Sequence, residues 1–144
     1  MTDHSRTTGM GLWTDANEMF LASKHLATDK RFEFSQPLYF LLGHAIELSF
    51  KSYLLARGES LERLKRIGHD LNVCLDEAEK AGIVDLVHLS PTDRALVTLM
   101  NRSYKSKEFE YRVTGAKSIP FSADLIGLLE RILHATRALC SKSL

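Results

Sequence analysis

Apolar residues recur along this chain at the three-to-four-residue spacing of amphipathic helices, and strand-like alternation is nearly absent. The strongest stretch runs from Pro37 to Arg57. There Leu38, Leu41, Leu42, Ala45, Ile46, Leu48, Phe50, Tyr53 and Leu55 cover most of a helical circumference. A helix that is apolar nearly all round is a buried one. Ser35 or Gln36 ahead of Pro37 suits its start, and Gly58 suits the position just past its end. At 1.5 Å per residue it is a rod of roughly 30 Å. Only a narrow seam is polar: His44, Glu47 and Lys51 lie at i, i+3 and i+7.

The remaining segments read as shorter amphipathic helices. The first is expected to start near Thr14 or Asp15, with Asp15 and Glu18 as an acidic form of the capping box. Its inward face is Ala16, Met19, Phe20, Ser23, Leu26 and Ala27, with Trp13 as a core or staple residue nearby. A loop over TDKRFEFSQ ends it. A short charged segment, Ser60 to Ile67, is broken by Gly68. A third helix starts at His69 or Asp70, turns Leu71, Cys74, Leu75 and Ala78 inward, and ends at Gly82. Ser90-Pro91-Thr92-Asp93 combines an N-cap serine, a first-turn proline and an acid at N3. The stripe expected after it is Ala95, Leu96, Leu99 and Met100. A long loop, KSKEFEYRVTGAKSIP, precedes a last helix from Ser122 to Cys140 with Leu125, Leu128, Leu129, Ile132, Leu133, Thr136 and Leu139 inward.

These elements predict an all-α fold: an antiparallel up-and-down bundle of four main helices plus a short helical segment, in one domain over residues 1–144. Residues 1–12 are expected to form a flexible N-terminal arm. The apolar excess of the long helix suggests a homodimer interface.

Composition changes this picture little. The chain has 144 residues, 44% hydrophobic and 26% charged, which is ordinary for a globular domain. The N-terminus lacks the apolar core of a signal peptide, and the apolar run at Leu38 to Phe50 is interrupted by His44 and Glu47. The expectation is therefore a cytoplasmic protein with no membrane span. A formal net charge of +1 gives no global attraction to nucleic acid, so any such affinity must be local. Cys74 and Cys140 match no metal spacing and read as reduced core thiols.

Three constellations carry candidate chemistry. In the seam, Glu47 and Lys51 form an i, i+4 acid-to-base pair with His44 one turn away. It reads either as a polar pocket with His44 as an acid–base group or as a satisfied structural ion pair. His-x-x-Glu supplies two metal ligands at most, so no metal is assigned. At Gly68-His69-Asp70-Leu71, Asp70 can cap the third helix. His69 then sits beside a positive helix end, which disfavours the imidazolium and suits a neutral general base. Arg63 and Arg66 precede it and could face an anion. The Asn101–Arg112 segment interleaves Arg102, Tyr104, Lys105, Lys107, Phe109, Tyr111 and Arg112. Cations neutralise phosphates and aromatic rings stack on bases, so this segment is the local candidate for nucleic-acid contact. No cofactor-binding motif is visible.

The order of His44-Ala45-Ile46-Glu47-Leu48-Ser49-Phe50-Lys51-Ser52-Tyr53-Leu54-Leu55, then Gly68-His69-Asp70-Leu71, then Tyr104 and Tyr111-Arg112, resembles the HEPN family of small prokaryotic helical-bundle domains. The resemblance spans about Gln36 to Arg112. It implies a helical bundle that commonly dimerises. Many members are RNA-cleaving toxins or defence effectors, including toxin–antitoxin pairs with a nucleotidyltransferase-like partner; others bind nucleotide or RNA without catalysis. The nuclease members carry an Arg followed a few residues later by a His and cleave without metal. Arg63 and His69 have five residues between them, with Leu64 where a polar residue is usual. The resemblance thus implies a module that binds nucleotide or RNA. The alternatives are a ribonuclease, with His69 as base and Arg63 or Arg66 on the phosphate, and a structural or partner-binding protein.

Overall fold

The computed structural model describes residues 6–107 and 118–143. Among them the chain is all-α, with helices α1 (Gly9–Ala27), α2 (Gln36–Ala56), α3 (Leu61–Ile67), α4 (Leu71–Lys80), α5 (Pro91–Tyr104) and α6 (Ser122–Ser141). Short 3-10 turns lie at Lys30–Phe32 and Ile83–Asp85. Five of the helices have ten residues or more, so the expected count of four main helices is one too few.

Local signals account for most boundaries. Ser35 caps α2 through the Leu38 amide, with Pro37 in the first turn. Past its end Gly58 takes φ +98°, and the amides of Gly58 and Glu59 bond back to Leu55 O and Leu54 O, each at 3.0 Å. That is the Schellman pattern, and it satisfies carbonyls the helix leaves open. Ser60 caps α3, Asp70 caps α4, and Ser90 with Asp93 forms a complete capping box on α5. The first helix differs from expectation. It begins at Gly9, capped by Thr8, and the Gly9 and Met10 amides bond to Ser143 Oγ and O. Residues 9–12 are helix, not arm: Ser143 accepts from the Gly9 and Met10 amides, and Thr8 accepts from those of Gly11 and Leu12.

α2 is the hub of the core. Leu38, Tyr39, Leu42, Ala45, Ile46, Phe50 and Tyr53 are all fully buried. Their cover comes from α1, α4, α5 and α6 of the same chain. Each large apolar side chain buried this way contributes about 1.5–3 kcal/mol. Most of the apolar girdle is thus covered within one chain, while Leu41, Leu48 and Leu55 stay half-buried along one line of α2. Trp13 is buried and donates from Nε1 to Leu133 O at 3.0 Å. Both cysteines are free and buried. No helix among the described residues is long and apolar enough to cross a membrane.

The helices do not simply alternate in direction. Gly9 meets Ala56 and Ser143, so α1 runs antiparallel to α2 and α6. Tyr39 reaches Pro120 and Ser52 reaches Cys140, so α2 and α6 are parallel. Along α2 from Glu47 to Tyr53 the partners advance from His69 to Ala81, so α2 and α4 are also parallel. The short α3 makes this possible. Flanked by Gly58 at φ +98° and Gly68 at φ +64°, it carries the chain back before α4 begins. α5 then descends antiparallel to α4, pairing Asn101 with Leu71 and Arg94 with Glu79. Its buried face is Val97, Met100, Asn101 and Tyr104, rotated from the expected stripe; Ala95 is exposed.

Candidate functional site: a buried glutamate that gathers two histidines and a tyrosine

Helix spacing puts His44, Glu47 and Lys51 on one side of α2, and the tertiary fold decides what they meet. Glu47 is 3% exposed. Its Oε1 accepts from the Tyr104 hydroxyl at 2.7 Å and from His69 Nδ1 at 2.8 Å. Its Oε2 accepts from Lys51 Nζ at 2.9 Å. Burial pushes the Glu47 carboxyl upward, but hydrogen bonds from His69, Tyr104 and Lys51 outweigh it and hold the group below its ordinary value. Glu47 is therefore an anion at neutral pH despite its burial.

Lys51 is buried too, and also donates to Gly68 O at 2.7 Å. One ammonium thus ties α2 to the α3–α4 elbow and places His69, the next residue, against Glu47. Asp70 continues the construction. Its Oδ1 accepts from the Asn72 and Val73 amides and from Asn101 Nδ2, and Lys105 stands 3.2 Å from Oδ2. Burial raises the Asp70 carboxyl, while the Val73 amide, Lys105 and Asn101 bring it below its usual range.

These partners determine the donor and acceptor pattern of the histidines. An ionised Glu47 can only accept, so His69 donates from Nδ1, and Nε2 is the nitrogen that bears the lone pair in the neutral ring. Tyr104 gives its hydroxyl proton to Glu47, so its oxygen accepts from His44 Nδ1 at 3.1 Å. His44 is then also an Nδ1–H tautomer. Neither Nε2 has a partner among the described residues, and no buried polar side-chain atom there is left unsatisfied. The His44 Nε2 is therefore open to solvent, and the His69 side chain is 49% exposed. Burial lowers the His44 basicity, with Glu47 opposing and His69 and Lys51 assisting. His44 stacks on Phe40 at 5.9 Å, and His69 meets the Tyr104 ring edge-on at 6.1 Å.

The expected positive helix end beside His69 is only part of its setting: Asp70 and Asn101 occupy the first α4 amides, and the imidazole itself faces the Glu47 carboxylate. Arg63 does not join the cluster. It pairs with Glu77 at 2.8 Å and Glu59 at 3.8 Å, so its charge is spent on α4 and on the turn before α3. Arg66 is exposed on α3. Arg102 and Lys105 line an open hollow of about 380 Å³ with Asn72, Thr98, Asn101 and Ser106, joined to the cluster through Asp70. Tyr111 and Arg112 lie outside the described residues. Among the described residues no three His, Cys, Asp or Glu side chains stand together as a metal-ligand set. Sequence reasoning missed Asn101 as a structural bridge; its only signal was a polar residue on the buried side of α5.

No protein-family model, curated protein or solved structure matches this chain.

Proposed function

We propose that this chain is an HEPN-like helical module that binds RNA or a nucleotide at the Glu47 cluster and the adjoining α4–α5 hollow. The observation that supports this most is convergence. Glu47, His69 and Tyr104 come from the three segments that carry the family resemblance, and they meet within 2.8 Å on one carboxylate. Imidazole edges face solvent there, and Arg102 and Lys105 provide cations for phosphate beside them. The test is anisotropy of labelled single-stranded RNA at increasing salt. Affinity should fall with salt, and Arg102→Ala and Lys105→Ala should each weaken binding and reduce the salt slope by about one. Affinity indifferent to salt and to both substitutions refutes the reading.

One observation favours a ribonuclease as the second reading. A base held by a third group is the usual arrangement of an activated imidazole, and Glu47 holds His69 with Nε2 as the lone-pair nitrogen. Arg63 is committed to Glu59 and Glu77, so phosphate stabilisation would fall to Arg66, Arg102 or Lys105. Cleavage of RNA in the presence of a chelator, abolished by His69→Ala, supports this reading. RNA left intact at high protein concentration excludes it.

A further inference from the structure

We propose that Gly43 is the positioning residue of the candidate site: its missing side chain admits the Tyr104 ring onto the bare backbone of α2, and only then can one hydroxyl bridge His44 and Glu47. The proposal rests on the reading that the Glu47 cluster is the working site.

Gly43 is buried inside a 21-residue helix, where glycine is a poor helix former compared with alanine. A glycine at that position needs another reason. A Cβ added to Gly43 would lie 2.7 Å from Tyr104 Cε1 and 3.0 Å from Cγ, and closer still to Cδ1. Non-bonded carbons do not approach so closely. The atoms in conflict belong to a rigid ring, not to the free end of a flexible chain. The ring has little freedom to withdraw: Tyr104 is 6% exposed and its hydroxyl is held at 2.7 Å by Glu47. The contrast with Gly127 is direct, since a Cβ there meets nothing within 4 Å. Gly43 and Glu47 are i and i+4 on one face, so the ring lies over Gly43 while the hydroxyl reaches the next turn. Among the described residues the hydroxyl is also the hydrogen-bonded link between His44 Nδ1 and the carboxylate, since His44 stands 3.9 Å from Glu47 itself.

The experiment is a double-mutant cycle with nitrogen-15 NMR of the imidazoles, and it needs no RNA. Gly43→Ala should lower the melting temperature of the parent. In a Tyr104→Ala background the same change should raise it by about 2–4 °C, because alanine improves the helix once the ring that holds the three atoms nearest that Cβ is gone. In Gly43→Ala and in Tyr104→Phe, His44 should lose its fixed Nδ1–H form, while His69 keeps it through Glu47. If Gly43→Ala does not fold, its sign in the Tyr104→Ala background still decides. A Gly43→Ala penalty of equal size in both backgrounds, or a His44 tautomer unchanged when Tyr104 is displaced, overturns the proposal. Failure of RNA binding would count against the proposed function and leave this result standing.

Discussion

Replacing Glu47 by Gln keeps the shape of the side chain and removes its charge. The amide oxygen of the glutamine can still accept from Tyr104 and His69. Its NH₂ group must then face Lys51 Nζ, donor against donor, where the parent has a 2.9 Å ion pair. Lys51 is 8% exposed and, among the described residues, keeps the Gly68 carbonyl, at 2.7 Å. A hydrogen bond to a charged group is worth about 1.5–3 kcal/mol, and stripping one member from a buried pair costs about 3–5 kcal/mol. Because Gly68 O still solvates the ammonium, the lower end applies, about 3 kcal/mol. That is a large share of the roughly 5–15 kcal/mol that holds a domain folded. Urea unfolding of the parent, Glu47→Gln, Lys51→Met and the double variant measures it. In the Lys51→Met background no ammonium is orphaned, so Glu47→Gln should cost only about 1 kcal/mol. Equal costs in the two backgrounds would refute the reasoning and show that Lys51 is not solvated by Glu47.

Two further predictions concern the same region. Burial holds His44 below its ordinary 6.5, while hydrogen bonds hold Glu47 and Asp70 below 4.5 and 3.8 against the upward push of burial. Below pH 6.5 the unfolded chain takes up a proton that folded His44 resists, so stability falls; the carboxylates add a second loss as pH drops below 4.5 toward their lower folded values. Melting temperature should therefore decline in two stages on acidification, and His44→Gln should flatten only the upper one; a melting temperature that rises from pH 7 to 5 contradicts this. Asn101→Leu should cost about 2 kcal/mol, because the buried Leu71 amide loses its 2.8 Å acceptor and Asp70 loses a donor. Faster hydrogen exchange at the Leu71 amide reports it, and unchanged exchange there would show that the amide finds another partner.

Much of the fold is legible in the chain because helix boundaries are short-range. Ser35, Ser60, Asp70 and Ser90 each cap the helix expected to follow them, with partners two or three residues away. Gly58, Gly68 and Gly82 adopt the positive φ that ends a helix. The polar seam of α2 is legible for the same reason, since i, i+3 and i+7 positions face one way whatever surrounds them. The start of α1 is not, because Gly9 and Met10 bond to Ser143, 134 and 133 residues away. The buried face of α5 is not either: Asn101 and Tyr104 are polar, and their burial depends on Leu71, Asp70 and Glu47 waiting for them.

The candidate site divides along the same line. By itself the sequence determined that a glutamate, a lysine and a histidine share one side of the longest helix, and that a histidine stands at the head of a capped one. Only the tertiary structure decided that His69, Tyr104 and Lys51 all point at Glu47, that Arg63 points elsewhere, and that Gly43 is where the tyrosine lies. The reason is physical. Capping and periodicity act over one or two turns, whereas a buried charge must find its donors wherever the folded chain can bring them.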